Sequence, residues 1–283
     1  MKVGLFFVNA GPPAFPGYAT ELVQAAEAGG MDSLWTVQHV VVPAQHSTPY
    51  PYDESGRMPI PDDTDIADPL LWLSYLAAKT STIRLCTGVL LLAQRNPLLT
   101  AKEVATLDVL SGGRVTVGIG SGWLKEEFDA MGVPFEDRGA RVEEYLAAMR
   151  ALWTGEPASF EGKFVSFDRV YCRPVPVQER IPVVVGGHSH AAARRAGRIG
   201  DGFFPAVVDM DRLAAVLESM RTAAEDAGRD PSTIEVTCPV VPTPDAVARV
   251  ATMRELGVSR VVIPAQICNP ESVTVFVDMF GGG

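Results

Sequence analysis

Short apolar runs and segments with helical spacing alternate along the whole chain. The apolar runs lack the inside–outside alternation of a half-exposed strand, and continuous apolar strands are typical of a parallel sheet that is buried on both faces. Strands are therefore predicted at residues 3–8, 33–37, 83–92, 115–119, 182–185, 202–205, 233–238 and 260–264. Each is followed by a predicted helix, at residues 18–28, 68–80, 97–110, 141–152, 191–199, 211–227, 244–256 and 271–280.

Local signals support these helix boundaries, and the order of the elements predicts a fold. Asp68-Pro69 is an N-cap followed by a proline in the first turn, and Gly112-Gly113 stops a helix at its C-terminus. The repeated strand–helix unit favours an α/β (β/α)8 TIM barrel as a single domain over residues 1–283, and an open doubly wound sheet is the alternative. In such a barrel, functional residues lie at the carboxyl ends of the strands.

Two stretches, residues 40–67 and 154–180, show no periodicity and are predicted to be irregular. The first contains a long loop after strand 2, residues 43–67, which is placed on the active-site rim of a barrel. Long loops of this kind are lids or specificity elements, or else disordered insertions. A lid is the favoured interpretation. Four of its side chains indicate a partly apolar ligand: Tyr50, Tyr52, Arg57 and Met58.

Composition narrows the classes of function. The formal net charge of −10 argues against nucleic acid and an anionic membrane surface as partners. The four cysteines form no CxxC pair, so reduced thiols in a cytoplasmic protein are expected. The N-terminal segment is predicted to be a strand and a turn rather than a signal peptide, and no run approaches the roughly 18 apolar residues of a membrane span.

The most informative stretch is GGRVTVGIGSGWLKEEF, residues 112–128. It is predicted to be a buried strand, a glycine-rich turn and a polar helix that begins near Leu124. Glycines let the backbone approach a ligand, and the first N–H groups of a helix suit an anion or a polar ring edge. The spacing is not the GxGxxG of a dinucleotide site, because a tryptophan stands where the last glycine belongs. The residues of this turn are Gly118, Gly120, Ser121 and Gly122, with Trp123 at its lip.

A second glycine turn, VVVGGHSH at residues 183–190, precedes another predicted helix. Backbone N–H groups and a hydroxyl at a helix N-terminus form a phosphate site in physical terms, and phosphates often bind at this later part of a barrel rim. The alternative is an ordinary tight turn with a serine cap. Two histidines at i, i+2 suit one metal ion poorly, so no metal site is predicted. The candidate residues are Gly186, Gly187, His188 and Ser189.

His39, at the end of the second predicted strand, is the candidate catalytic residue. An imidazole is the side-chain group suited to act as a proton donor or acceptor at physiological pH, and the alternative is a hydrogen-bonded structural histidine. The sequence contains no GxSxG elbow, P-loop or HExxH motif. Three acidic pairs are predicted to be solvated surface: Asp62-Asp63, Glu126-Glu127 and Glu143-Glu144.

Together these segments resemble the bacterial luciferase-like superfamily, and within it the oxidoreductases that depend on the deazaflavin coenzyme F420. The resemblance extends over nearly the whole chain, and that family binds its flavin or deazaflavin ring over the barrel mouth. It rests on GGMDSLWTVQHV (29–40), TSTIRLCTGVLLLAQRNPLLTAKEVATLDVLSGGRVTVGIGSGW (80–123) and VGGHSHAAARRAGRIGDGFF (185–204).

The resemblance implies a role for each candidate residue. His39 would be the acid/base beside the reactive carbon of the ring, with Gln38 next to it. Thr87, Gly88 and Val89 end the third strand, and the last two match the place of a non-proline cis peptide behind the ring. The other residues are implied to bind the remainder of the cofactor: Gly120, Ser121, Gly122, Trp123, Gly186, Gly187, His188 and Ser189.

Two departures from the family pattern bear on the substrate. Some deazaflavin dehydrogenases of this family carry a tryptophan four residues after the histidine, where this chain has Pro43, and a glutamate right after the glycine turn, where it has Trp123. Both argue against a sugar-phosphate or simple alcohol dehydrogenase.

The resemblance leaves two alternatives for the identity of the cofactor, the deazaflavin F420 and FMN. A deazaflavin, which has carbon in place of the flavin N5, moves hydrides and reacts poorly with oxygen. The first hypothesis is therefore an F420-dependent hydride transfer to or from a small organic substrate. The second is an FMN-dependent monooxygenase that needs a partner flavin reductase, and the third is a barrel that only binds a ligand. A homodimer is expected, since barrels of this family commonly dimerise.

Overall fold

Strands and helices alternate in the computed structural model of the protein, which describes residues 1–53, 55–58, 60–207 and 209–281. The strands are β1 Lys2–Phe6, β2 Ser33–Thr36, β3 Arg84–Thr87, β4 Leu90–Leu91, β5 Val115–Gly120, β6 Ala158–Glu161, β7 Ser166–Val170, β8 Val183–Gly186, β9 Gly202–Phe204, β10 Glu235–Pro239 and β11 Arg260–Pro264. The helices are α1 Pro16–Ala28, α2 Pro69–Ala77, α3 Pro97–Ser111, α4 Lys125–Ala130, α5 Arg138–Leu152, α6 His190–Ile199, α7 Met210–Asp226, α8 Ala246–Glu255 and α9 Val273–Gly281.

The main sheet closes on itself. Hydrogen-bonded neighbours run in the order β3, β2, β1, β11, β10, β9, β8 and β5, and β5 returns to β3 through the pair Leu85 and Val115. All of these pairings are parallel. The predicted (β/α)8 TIM barrel is confirmed, and the open doubly wound sheet is wrong, because a closed sheet has no edge strands.

The third barrel strand differs from the single strand predicted at residues 83–92. A cis peptide bond between Gly88 and Val89 divides it into β3 and β4, as the family resemblance implies. β3 pairs with β2 and the start of β5, whereas β4 pairs farther along β5, with Leu90 opposite Ile119. The apolar run is continuous in sequence, so its hydrophobic pattern contains no sign of the interruption.

The stretch 154–180, predicted to be irregular, contains an antiparallel hairpin of β6 and β7 outside the barrel. The carboxylate of Glu144 accepts the backbone N–H groups of Phe164 and Val165 at 2.6 and 2.9 Å, which holds the turn of this hairpin. Most residues of both strands are exposed or half-buried, so the apolar alternation that marks a buried strand is weak. Glu144 is therefore a structural acceptor, and its prediction as a solvated residue is wrong.

The barrel interior is filled by side chains from several strands. Trp35, Cys86, Val184, Phe204 and Val262 form one buried cluster, in which the Trp35 and Phe204 rings meet edge to face at 5.3 Å. The interior is thus a packed core rather than a channel, and a ligand is expected at the mouth. No helix in the described ranges is long and apolar enough to cross a bilayer.

Candidate active site

His39 lies just beyond β2, at the carboxyl end of the barrel. Its Nδ1 lies 3.0 Å from Oε2 of Glu127 in the short helix α4. The ring of Trp123 meets the imidazole edge to face, with 6.0 Å between centroids. The His39 side chain is 12% exposed. The imidazole is therefore anchored by Glu127 and remains partly accessible.

Glu127 is a site residue that the sequence analysis missed, and its prediction as solvated surface is wrong. The residue is 0% exposed. One carboxylate oxygen contacts His39, and the other accepts the backbone N–H of Val40 at 2.6 Å. Glu127 points inward because it shares a helix face with Leu124 and Phe128, which are buried at i, i+3, i+4 spacing. The spacing of Glu127 from Leu124 and Phe128 is the sequence signal from which its burial can be predicted.

Gln38 is buried at the same strand end as His39. Its Oε1 accepts the backbone N–H of Leu91 at 3.1 Å, which ties the end of β2 to β4. Its Nε2 is buried and has no hydrogen-bond partner within the described ranges. An unpaired buried donor costs about 1–3 kcal/mol, so this N–H group is suited to a polar atom of a ligand.

Thr87 and Gly88 are packed within the barrel wall at the end of β3. The Thr87 hydroxyl donates to the carbonyl of Gly118 and accepts its N–H, both at 2.8 Å, so it links β3 to β5. A Cβ on Gly88 would lie 3.0 Å from the ring of Phe204 and 3.1 Å from that of Trp35. Both residues thus pack the strand end, and their contact with a cofactor stays a prediction.

The Val89 side chain lies between two glycines of the predicted cofactor turns. A Cβ on Gly120 would lie 2.5 Å from its Cγ2, and a Cβ on Gly186 would lie 2.5 Å from its Cγ1. Any other residue at either position would have to displace Val89. The start of β4 and the ends of β5 and β8 therefore form one continuous surface around this valine.

The first glycine turn is shaped by α4 and by Arg138. Gly122 has a φ of +83°, and a Cβ on it would lie 2.6 Å from the ring of Phe128. Arg138 donates from Nε to the Gly122 carbonyl at 3.1 Å. Ser121 and Trp123 are half-buried at this turn, so both remain accessible to a ligand.

The second glycine turn leads into α6. Gly187 has a φ of +138°, and a Cβ on it would lie 2.7 Å from the Cβ of Ala192. Ser189 caps the helix, because its Oγ accepts the N–H of Ala192 at 3.2 Å. A hydroxyl that accepts one hydrogen bond still donates its own hydrogen, so the cap is compatible with the predicted phosphate site.

His188 in this turn is half-buried, and its Nδ1 is buried without a partner among the residues that the structure describes. The Tyr52 ring meets the imidazole edge to face at 4.8 Å. Burial lowers the pKa of His188 below its ordinary 6.5, and the positive charge of Arg212 lowers that pKa further. At neutral pH His188 is therefore a neutral hydrogen-bonding group rather than a cation.

The loop at residues 43–67 reaches both glycine turns. Its Tyr50 ring lies 5.3 Å from that of Trp123 in the first turn, and its Tyr52 contacts His188 in the second. These contacts place aromatic rings over the mouth, as expected of a lid. Residues 54 and 59 of the predicted lid lie outside the described residues.

Glu126 holds the first part of this loop. Its Oε1 accepts the backbone N–H groups of Ser47 and Thr48 at 2.7 and 3.1 Å, and the Ser47 hydroxyl at 3.0 Å. These hydrogen bonds hold the pKa of Glu126 well below its usual range. The prediction that Glu126 is solvated surface is therefore wrong. Of the two adjacent carboxylates of α4, Glu126 holds the loop and Glu127 holds His39.

The remaining acidic groups have simpler surroundings. Glu143 accepts from Arg195 and Arg198 at 3.0 and 2.8 Å, whereas Asp62 and Asp63 are exposed. Within the described part of the chain, no three His, Cys, Asp or Glu side chains lie close enough together to hold a metal ion.

A histidine anchored at a barrel mouth, beside glycine turns and a loop with aromatic side chains, is typical of an enzyme that binds a small molecule at the carboxyl ends of its strands. The chain belongs to the luciferase-like monooxygenase family, whose family model matches residues 1–258. The family resemblance of the sequence is thereby confirmed.

Curated relatives include proteins named for two different cofactors. An uncharacterized protein of Mycobacterium tuberculosis is 36% identical over 98% of this chain and 96% of its own length. The F420-dependent glucose-6-phosphate dehydrogenase of Kineococcus radiotolerans is 33% identical over 78% of this chain and 62% of its own. The FMNH2-dependent dimethylsulfone monooxygenase of Pseudomonas putida is 36% identical over 47% of this chain and 38% of its own.

Two solved structures share the fold. A monooxygenase from Streptomyces bottropensis superposes with a TM-score of 0.75 at 24% identity, over 99% of this chain and 97% of that one. The coenzyme F420-dependent tetrahydromethanopterin reductase from Methanopyrus kandleri has the same TM-score and coverages at 19% identity. At these identities the similarity supports the barrel fold and no finer statement.

Proposed function

We propose that the protein is an oxidoreductase that uses the deazaflavin coenzyme F420 to transfer a hydride to or from a small organic substrate. The observation that carries this proposal is the His39 imidazole, held at the barrel mouth by Glu127 and bordered by Trp123. A bound deazaflavin supplies the hydride chemistry. Exchange of a hydride with a carbonyl or hydroxyl carbon also needs a group that moves one proton, and His39 is that group.

The mouth fits a polar ring with a phosphate-bearing tail. Gln38 Nε2 and His188 Nδ1 are buried without partners in the described ranges, and each would hydrogen-bond the cofactor, Gln38 at the ring and His188 at the tail. The N–H groups of the second glycine turn, from His188 into α6, would hold the phosphate, since the N–H of Gly187 donates to the carbonyl of Phe204 at 3.2 Å. A neutral His188 adds a hydrogen bond there without adding charge.

The lid supports a partly apolar organic substrate. The rings of Tyr50 and Tyr52 contact each other at 5.1 Å and continue to Trp123 and His188. This row of aromatic rings would shield the mouth from water, with His39 as the proton donor or acceptor for the substrate. A cytoplasmic protein with no nucleic-acid or membrane partner is part of the proposal, in keeping with the net charge of −10.

An FMN-dependent monooxygenase is the second candidate. The Pseudomonas putida relative, named as FMNH2-dependent, favours it, and the phosphate site proposed at the second glycine turn suits FMN equally well. This function requires oxygen and a partner reductase that supplies reduced flavin.

The test is a pair of anaerobic and aerobic reactions. Reduced deazaflavin is mixed, without oxygen, with the protein and a panel of small apolar aldehydes, ketones and enones, and reoxidation is followed by absorbance. Oxidation that needs both the protein and one of these compounds supports hydride transfer. Oxygen uptake and substrate oxygenation with reduced FMN, in the absence of any deazaflavin reaction, would replace the proposal by the monooxygenase.

A homodimer is proposed as the form in solution. Adjacent helices α2 and α3 pack on each other and expose large apolar side chains: Leu71 at 75%, Leu99 at 57% and Leu110 at 63%. Exposed apolar side chains on two neighbouring helices would suit a protein interface. Light scattering should give twice the chain mass of 30.3 kDa, and a monomer would refute the dimer.

A further inference from the structure

We propose that Glu127 is a positioning residue that holds His39 in the tautomer with its hydrogen on Nδ1, so that Nε2 exchanges the proton with the substrate. This inference rests on the proposed function for the role of His39 as acid/base. It assigns a task to a residue that neither the family resemblance nor the motif analysis singles out.

The geometry matches two acceptors to two donors. Oε1 of Glu127 lies 2.6 Å from the backbone nitrogen of Val40, and Oε2 lies 3.0 Å from Nδ1 of His39. An ionised carboxylate only accepts hydrogen bonds. The neutral imidazole must therefore present an N–H at Nδ1, because the other tautomer would turn a nitrogen lone pair toward a carboxylate oxygen.

The same contacts fix the orientation of the ring. Val40 directly follows His39, so one carboxylate holds both the imidazole and the backbone next to it. Trp123 borders the ring, and the hydrogen bond of the ring to the described residues is made by Nδ1. Nε2 is therefore the nitrogen that remains for a substrate.

The proton balance follows from this arrangement. If a substrate hydroxyl is oxidised, its C–H bond would lose a hydride to the deazaflavin, its O–H bond would lose a proton to Nε2 of His39, and a carbonyl would form. The carboxylate of Glu127 stabilises the resulting imidazolium through Nδ1–H, as a buried acid orients the histidine in other acid/base pairs. The imidazolium then releases the proton to water, and the reverse sequence reduces a carbonyl.

The tautomer can be observed directly by NMR. The full chain is labelled with [15N]histidine and studied without cofactor, by two-bond 1H–15N correlation at a pH where the imidazole is neutral. A His39→Gln variant identifies the His39 signals among those of the four histidines. We expect the hydrogen of His39 on Nδ1 and none on Nε2. A hydrogen on Nε2, which a protonated Glu127 donating to Nδ1 would produce, overturns the inference.

Glu127→Gln provides the second measurement. The glutamine has one carbonyl oxygen for two N–H donors, and the backbone N–H of Val40 cannot change its protonation, whereas His39 can. We therefore expect the amide oxygen to face Val40, the NH2 group to face Nδ1, and the hydrogen of His39 to move to Nε2. Glu126→Gln makes the same change one residue earlier on α4, where the carboxylate contacts Ser47 instead, and should leave the tautomer as it is.

Kinetics separate this inference from the proposed function. With the tautomer reversed, kcat of Glu127→Gln should fall by ~10²–10⁴-fold, the range for a lost acid/base, with KM changed by a few-fold at most. A tautomer that stays on Nδ1 in Glu127→Gln, or reverses with no loss of kcat, overturns the positioning role. If the tautomers are as predicted but no F420-dependent turnover exists, the proposed function fails while Glu127 still sets the tautomer.

Discussion

The side chain of Val89 occupies the space that a side chain on Gly186 would need, since a Cβ on Gly186 would lie 2.5 Å from Cγ1 of Val89. Gly186 ends β8 in the turn proposed to bind phosphate, and the family resemblance implies that Val89 lies behind the ring of the cofactor. Two parts of the proposed cofactor site are therefore in direct contact, and a change at one is expected to alter the other.

Gly186→Ala tests this contact. The new methyl group has to displace Val89, and overpacking costs about 1–3 kcal/mol, so the free energy of unfolding should fall by that amount in denaturant titrations. Val89→Ala removes both γ-carbons, and in that background Gly186→Ala should cost much less. Gly17→Ala in α1 is the control, because no atom lies within 4 Å of a Cβ there. Equal costs in both backgrounds would mean that the two positions are uncoupled.

His39→Ala tests the proposed acid/base. The substitution removes the proton-transferring group but neither glycine turn, so cofactor affinity should stay within a few-fold while kcat falls by ~10²–10⁴-fold. Fluorescence titration gives the affinity and steady-state kinetics give kcat. Unchanged turnover would remove His39 from the mechanism.

Glu126→Gln tests the hold on the lid. The carboxylate accepts from two backbone N–H groups and one hydroxyl of Ser47 and Thr48, and an amide oxygen accepts more weakly than a carboxylate. Limited proteolysis within residues 43–58 should become faster, and KM for the substrate should rise more than kcat falls. Glu21→Gln, an exposed change in α1, is the control. Proteolysis at the wild-type rate would show that Glu126 does not restrain the loop.

His188 provides a pH-dependence with a defined sign. Its pKa is lowered below 6.5 in the folded protein, first by burial and then by Arg212, so the unfolded chain binds more protons near that pH. The stability contributed by neutral His188 is therefore complete above pH 6.5 and is lost as pH falls through the lower folded pKa.

An NMR titration of His188 measures this directly. Its midpoint should lie below 6.5, and Arg212→Gln should raise the midpoint without reaching that value, because burial is the larger cause. His188→Gln should reduce the slope of stability against pH in the same window. A midpoint at or above 6.5 in the wild type contradicts this account.

The barrel and the strand-end residues could be predicted because their signals are local. Continuous apolar runs identify buried parallel strands, and in a barrel the end of each strand is at the mouth, which is how His39 and both glycine turns are found. The cis peptide at Gly88 was implied by the family resemblance, while the apolar pattern alone predicted an unbroken strand.

The contacts that organise the site join residues far apart in sequence. Glu127 is 88 positions from His39, and Glu126 is 79 positions from Ser47. Two adjacent glutamates in a short polar helix resemble a solvated surface until the partners that fold against them are known. Of this pair, only the spacing of Glu127 from Leu124 and Phe128 carries a local signal of burial.

Cofactor binding distinguishes a deazaflavin-dependent hydride transfer from its alternatives. The purified protein is titrated with the oxidised deazaflavin and, separately, with FMN, each followed by quenching of its fluorescence. We expect micromolar or tighter binding of the deazaflavin and markedly weaker binding of FMN. A preference for FMN would contradict it and identify an oxygen-using monooxygenase, and binding of neither would leave a barrel that binds some other ligand.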